Sequence, residues 1–470
     1  MIPKTKEFKK ELPKHLGNKA LIRNIDRATR LTVEKRNKSV AEIPEWEDMR
    51  EKANQIRSDV IRNLYQYLDD FEKNAVDNGI IVNRTKDAEE ANLIAKKIAK
   101  EHNAKLIVKA KSMLTEEIGF NSYMIKEGYD VIETDLGEYI LQIANEPPSH
   151  LIGPAIHKSR SDIGKLFSEK LGVPYSEDPK FLTETAKNII REKFFKADIG
   201  VSGANFGIVE NGGIAIVENE GNARMCFTVP KIHIAFIGME RLLSRVKDLS
   251  LFLPLLSRSA NGQKMTSYVT MLTGPRKKEA YDGPEKTYYI IVDNKRSTFL
   301  EDEKLKEALY CIRCSACYNV CPVYQNIGGH AYGWVYQGPI GAIITPQLLG
   351  LENAPDLPFA SSLCGSCTDV CPVKIPLHNL LLHQRKRIIS EVKTSTIEKM
   401  MFKAFGYFTS SSSKFQRAGN WGRIFQKLFL NKTFVPGWSK TREFPKLAEE
   451  SFNKWWREKE RNNDDGKSSH

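Results

Sequence analysis

Eight cysteines stand in the 470-residue chain, and seven of them fall between positions 311 and 371. The first run reads Cys311-Ile312-Arg313-Cys314-Ser315-Ala316-Cys317-Tyr318-Asn319-Val320-Cys321-Pro322, the pattern C-x2-C-x2-C-x3-C-P. Three thiolates two residues apart can wrap one iron–sulfur cube, because the loops between them are short enough to curl around it. The fourth cysteine, set off by three residues and followed by proline, points at a second cluster. A zinc site would need four thiolates in two C-x2-C pairs about 15–20 residues apart. A disulfide scaffold would spread its cysteines over a small secreted domain, which this clustering is not. The chemistry expected is one-electron transfer at iron.

The second run is Ser361-Ser362-Leu363-Cys364-Gly365-Ser366-Cys367-Thr368-Asp369-Val370-Cys371-Pro372. Aligned on Cys-Pro, it repeats the first motif with Ser361 at the position of the first cysteine. Crosswise ligation assigns Cys311, Cys314, Cys317 and Cys371 to cluster 1. It assigns Cys321, Cys364 and Cys367 to cluster 2, which lacks a fourth thiolate. The cofactors expected are two [4Fe–4S] clusters. The second is open to a [3Fe–4S] form or to a non-cysteine fourth ligand, a serine oxygen or solvent.

Other residues have weaker claims. Arg313, Lys374, His378 and His383 lie near the cysteines in sequence, where charge or hydrogen bonds tune cluster potential; as ordinary surface residues they need no such role. Cys226, between Met225 and Phe227, reads as a small buried hydrophobe. Glu210, in Phe206-Gly207-Ile208-Val209-Glu210-Asn211-Gly212-Gly213, is a carboxylate at a turn: a nucleophile or base in an enzyme, a turn carboxylate otherwise. His150 and His157 flank Pro154 and make a weak metal pair. No catalytic residue is assigned.

The elements that must position these groups follow from patterning. Ile56, Val60, Leu64 and Leu68 share one face of a helix expected from Trp46 to Phe71. From about 80 to 295, apolar runs alternate with helical stretches, which predicts an α/β layer structure. Its strands are expected at 80–82, 105–109, 131–134, 213–217, 232–237 and 288–292, with a strand, tight turn and further strand over 198–213 and a helix from Asp87 to His102. A further helix leads into the first cysteine run, with Leu305, Leu309 and Ile312 on one face, and another spans Ile340 to Leu349. Ser410 to Ser413 reads as a linker, and Arg461–His470 as disordered.

Lys and Arg number 71 against 58 Asp and Glu, a net charge of +13. Residues 1–40 carry 12 basic and 4 acidic residues, and residues 381–470 carry 19 and 9, so the excess sits at the two ends. Such ends suit nucleic acid, an anionic membrane surface or an acidic partner, or are simply solvated. No nucleic-acid motif accompanies them. No apolar run reaches the roughly 18 residues of a membrane span, and no secretory signal is recognisable. The expected location is cytoplasmic, with peripheral contact at the inner membrane face left open.

The whole chain resembles one family in one order. Val108–Glu117, Glu133–Tyr139, Pro148–His157, both cysteine runs, Pro436–Pro445 and Ser451–Trp456 look like the bacterial lactate utilization iron–sulfur protein B family. The resemblance implies an α/β lactate-utilization domain of the sugar-phosphate isomerase and CoA-transferase type. An all-α two-cluster ferredoxin domain follows it, similar to the iron–sulfur subunits of succinate dehydrogenase. The domains expected are a helical segment at 1–70, the α/β domain at 71–297, the ferredoxin domain at 298–395 and a basic region at 396–470. The resemblance also implies a role in oxidising L-lactate to pyruvate, for growth on lactate. Two companion proteins are implied, an iron–sulfur oxidoreductase and a smaller protein sharing the central domain, with an unknown electron acceptor.

The reading this supports is an electron carrier in an oxidoreductase system. One alternative is a transferase or isomerase-type enzyme with structural clusters, in which Glu210 would act. Another is a nucleic-acid binder using the basic ends, which steeply salt-dependent binding would reveal.

Overall fold

The structure is a computed structural model describing residues 3–392, 396–429 and 446–465. The chain divides into two compact units, Met1–Val392 and Lys393–His470.

The first unit begins with the helices Phe8–Gly17, Lys19–Ala41, Trp46–Arg62 and Leu64–Asp77. The single helix expected from Trp46 to Phe71 is therefore two. Asn63 breaks it, with φ −109° and ψ 28°, and its side-chain amide donates to the Asp59 carboxylate at 3.1 Å. Asparagine competes for local backbone partners in this way and so punctuates helices.

Ten strands occur among the described residues: β1 (Ile81–Thr85), β2 (Leu106–Lys109), β3 (Asp130–Glu133), β4 (Ile199–Gly203), β5 (Phe206–Ile208), β6 (Gly213–Glu218), β7 (Ile232–Gly238), β8 (Leu242–Leu243), β9 (Tyr268–Leu272) and β10 (Lys286–Val292). Six form a parallel sheet in the order β1-β10-β7-β4-β2-β3. Every residue of β7 is buried, as expected for a central parallel strand covered on both faces. A smaller sheet, β8-β5-β6-β9, lies alongside in sequence and is mostly antiparallel.

Side chains alternate across the large sheet with period two. In β10, Tyr288, Ile290 and Val292 join one apolar cluster with the Ala88–Glu101 helix and Phe120. Tyr289 and Ile291 face the other way, into a core shared with the N-terminal helices and the cysteine region. The α/β domain and the cysteine region thus share one hydrophobic core.

The cysteine region is helical, as expected, and Gly338–Leu349 matches the anticipated helix. The segment leading into the first run differs: it is a 3-10 helix, Leu305–Tyr310, that stops before Ile312. The reason is downstream, since Arg313 and Ser315 take left-handed backbone (φ 61° and 60°) to curl the cysteine loop. At Gly329 a side chain would sit 1.9 Å from the Ser149 carbonyl oxygen, so only glycine lets this loop close on the α/β domain.

The second unit holds helices Thr396–Thr409, Ser412–Phe429 and Phe452–Asp465. The linker expected at 410–413 shrinks to Ser410 and Ser411, because Ser412 already starts a helix. The tail expected to be disordered is helical to Asp465; residues 466–470 and the Pro436–Pro445 segment lie outside the described residues. Among the described residues, no helix is long and apolar enough to cross a membrane.

Candidate iron–sulfur centre

Two short helices carry the cysteine loops, Ala316–Asn319 in the first run and Ser366–Asp369 in the second. Their backbones repeat each other at a spacing of 50 residues. Left-handed residues stand immediately before and after the second cysteine position in both, Arg313 and Ser315 around Cys314, and Leu363 and Gly365 around Cys364. The backbone N–H of Arg313 donates to Cys311 Sγ at 3.4 Å, and that of Leu363 donates to Ser361 Oγ at 3.1 Å.

Cys311, Cys314, Cys317 and Cys371 line one small cavity, closed by Leu151, Ile340 and Val373. Cys371 comes from the second run, so the two loops interlock. Ile375 N–H donates to Cys371 Sγ at 3.4 Å. Burial raises the Cys314 and Cys317 thiols far above their ordinary range, and the neighbouring sulfurs add to the shift. Cys321 and Cys367 are buried and Cys364 is exposed. Burial, with Cys321 and Cys364 close by, pushes Cys367 up to about 12. Cys317 also feels Cys367, which makes the two sets neighbours. All seven sulfurs are free of disulfides.

Four arginines from outside the cysteine loops grip their carbonyls. Arg57, fully buried, donates to the Leu309 and Tyr310 carbonyls at 2.7 and 3.3 Å and to Glu240 and Leu242 on the α/β side. Arg241 donates to the Cys311 carbonyl at 2.7 Å. Arg50 holds the Cys371 and Asp369 carbonyls at 2.9 and 2.7 Å, and Arg36 holds Val370 at 3.2 Å. Burial lowers Arg57 to about 9 and Arg241 to about 10, without discharging either at neutral pH. These four cations sit around the two cysteine runs. Sequence reasoning missed them, because an arginine aimed at a distant carbonyl leaves no local spacing signal.

Of the four residues weighed as tuning groups or ordinary surface residues, Arg313 touches Cys311 directly through its backbone N–H. Lys374 instead pairs with Glu51 at 3.1 Å, and His383 with Asp302 at 2.6 Å. His378 Nδ1 meets Thr368 Oγ1 at 2.7 Å, in the loop between Cys367 and Cys371. Cys226 is fully buried beside Thr134, its thiol raised to about 12 by burial, and lines neither cysteine set. Glu210 accepts the Val246 N–H at 2.7 Å as a loop carboxylate. His150 and His157 do not converge. His150 Nδ1 accepts from Ile152 and Gly153 N–H while Nε2 meets Asn319 in the first cysteine loop. His157 is held by Ser149 and Glu146.

A family model described as the LUD domain matches residues 68–292. A 4Fe-4S dicluster domain matches residues 307–375, and the C-terminal domain of lactate utilisation protein B matches residues 383–461. Lactate utilization protein B of Bacillus licheniformis is 42% identical over 98% of each chain. The proteins of the same name from Macrococcus caseolyticus and Bacillus subtilis are 44% and 41% identical, over 90% and 97% of this chain and 91% and 97% of theirs. The chain belongs to the lactate utilization protein B family.

The dicluster match spans all seven clustered cysteines. Their surroundings suit iron–sulfur clusters, with soft sulfur donors, backbone N–H groups aimed at sulfur, and a ring of arginines to balance thiolate charge. Family membership thus joins an iron–sulfur centre to lactate utilization.

Proposed function

We propose that the chain relays electrons in the oxidation of L-lactate to pyruvate. Cys311, Cys314, Cys317 and Cys371 would hold one [4Fe–4S] cluster, and Cys321, Cys364 and Cys367 three corners of a second. When bound, such clusters supply one-electron oxidation and reduction. The observation that carries the reading is the cavity lined by four cysteines drawn from both runs.

The residues divide the work. Arg57 and Arg241 fix the Leu309–Cys311 carbonyls, and Arg50 fixes Cys371, which would hold the four sulfurs toward one space. The same cations offset thiolate charge in a buried place and so favour the reduced state. Cys317 and Cys367 bring the two sets side by side, and exposed Cys364 opens the second toward a partner. The path would run from a set with no exposed cysteine to one with Cys364 at the surface.

The reading includes a cytoplasmic location and two companions, an iron–sulfur oxidoreductase and a smaller protein with the same central domain. We also read the large parallel sheet as the sugar-phosphate isomerase and CoA-transferase type. The test mixes the purified holoprotein with both companions, L-lactate and an acceptor under anaerobic conditions. The holoprotein alone should form no pyruvate, and the mixture should bleach its clusters. Acceptor reduction at full rate by companions plus a variant lacking all seven clustered cysteines would overturn the reading.

A further inference from the structure

The parallel sheet changes winding direction between β2 and β4. From β2 the chain moves outward to β3, whereas β4, β7 and β10 follow one another the opposite way. Ligands of open α/β sheets bind outside the carboxyl ends of the strands at such a switch point. A cavity of about 300 Å³ lies there. Its walls come from residues directly after β2 (Lys111, Ser112), after β4 (Ala204, Asn205) and after β7 (Glu240, Arg241). That size is at the lower end of the roughly 300–1,000 Å³ typical of small-molecule sites.

Arg313 forms part of the wall of this cavity and also of the cavity lined by the four cysteines. Its guanidinium stacks over the Tyr336 ring at 4.7 Å, and Nη2 approaches Glu240 at 3.5 Å. Nη1 is buried and, among the described residues, has no hydrogen-bond partner. Glu240 is already engaged by Arg296 at 2.8 Å, so it does not fully neutralise the Arg313 side. A planar guanidinium with a ring on one face and an Nη1 group that no protein atom takes up suits a carboxylate. Thr266 Oγ1, in the same lining, is likewise buried and unpartnered among the described residues.

We infer that the switch-point cavity binds a small organic carboxylate, with its charged end on Arg313. The backbone of that same residue donates to Cys311 Sγ, so occupancy of the cavity is felt at the first cysteine set. Binding itself does not depend on the electron-relay reading; only the spectroscopic readout rests on the assignment of Cys311 to cluster 1.

The test is anaerobic titration calorimetry of the holoprotein alone with L-lactate, pyruvate and citrate, and with neutral lactamide as control. At least one acid should bind saturably at one per chain, with lactamide at least tenfold weaker. The bound acid should change the electron paramagnetic resonance signal of the cluster that Cys371→Ser removes, and not the other. Arg313→Gln should weaken binding at least tenfold at unchanged iron content, and Ala204→Phe should block it by filling the space after β4. If Arg313→Gln loses iron, Ala204→Phe decides. No saturable heat with any of the three acids, equal binding of lactamide, or full binding by Ala204→Phe overturns the inference. Binding without cluster reduction in the presence of companions would count against the relay reading and leave the cavity standing.

Discussion

Ser361 Oγ stands where Cys311 Sγ stands in the other half of the cysteine repeat, each accepting the backbone N–H two residues further on. The loop around Ser361 therefore keeps the cradle of a ligand position with oxygen in place of sulfur. Oxygen is a harder and weaker donor to this iron than thiolate, so the corner it faces is the one most easily lost. Mild oxidation should convert the second cluster to a three-iron form before the first changes, as read by electron paramagnetic resonance. Ser361→Cys should suppress that conversion, because the cradle already aims the new sulfur. Equal conversion in both proteins would mean that another group closes the site.

Interlocking of the two runs gives a sharper expectation. Cys371 shares a cavity with Cys311, Cys314 and Cys317, whereas Cys364 is exposed beside Cys321 and Cys367. Cys371→Ser should damage the same spectroscopic signal as Cys317→Ser. Cys364→Ser should spare that signal and damage the other. If Cys371→Ser and Cys317→Ser alter different signals, the crosswise assignment is wrong.

Much of the candidate site was legible because its information is local. C-x2-C-x2-C-x3-C-P places sulfurs within a few residues, and the run starting at Ser361 repeats it, so both sets could be read without a fold. Most strands were legible for the same reason, β7 as an apolar run broken only by His233, whereas the short β8 and the exposed β9 were not expected. What escaped was every contact closed through space. Arg36, Arg50 and Arg57 lie more than 250 residues before the loops they hold, and their partners are main-chain carbonyls, which every residue type carries. The switch-point cavity escaped too, since it depends on the order of strands in the sheet. Lys374 and His383 fit the plainer of their two readings: they lie beside the cysteines in sequence but pair with Glu51 and Asp302.

Arg57 offers a direct measure of how much the arginine clamp matters. It is fully buried and serves four carbonyls, so Arg57→Met leaves several buried acceptors unpaired at about 1–3 kcal/mol each. The expected loss is at least about 3 kcal/mol, with the urea midpoint lowered and iron retained less well. Arg57→Lys keeps the charge but not the fork and should recover only part. Lys374→Ala, which removes an exposed pair, should shift stability by no more than about 0.5 kcal/mol. Similar midpoints for Arg57→Met and wild type would show that the carbonyls find other partners.

The last expectation concerns pH and lies away from the cysteines. His233, the second residue of β7, is fully buried; one ring nitrogen meets Ser202 Oγ at 2.8 Å and the other has no partner among the described residues. Burial lowers its pKa to about 3, so the ring is neutral in the fold. In the unfolded chain it protonates near 6.5. Between those values the unfolded chain binds the extra proton, so stability is complete above pH 6.5 and is lost as pH falls toward 3. From pH 7 to pH 5 the loss from this one group is about 2 kcal/mol. His150 and His330, both lowered to about 4 by burial, act in the same direction. His233→Gln removes the titrating group, so its urea midpoint should fall less than that of wild type between pH 7 and pH 5. The difference in slope should be close to that 2 kcal/mol, even though the variant starts from lower stability at pH 7. A variant that keeps the full wild-type slope would place the acid sensitivity in the other two histidines.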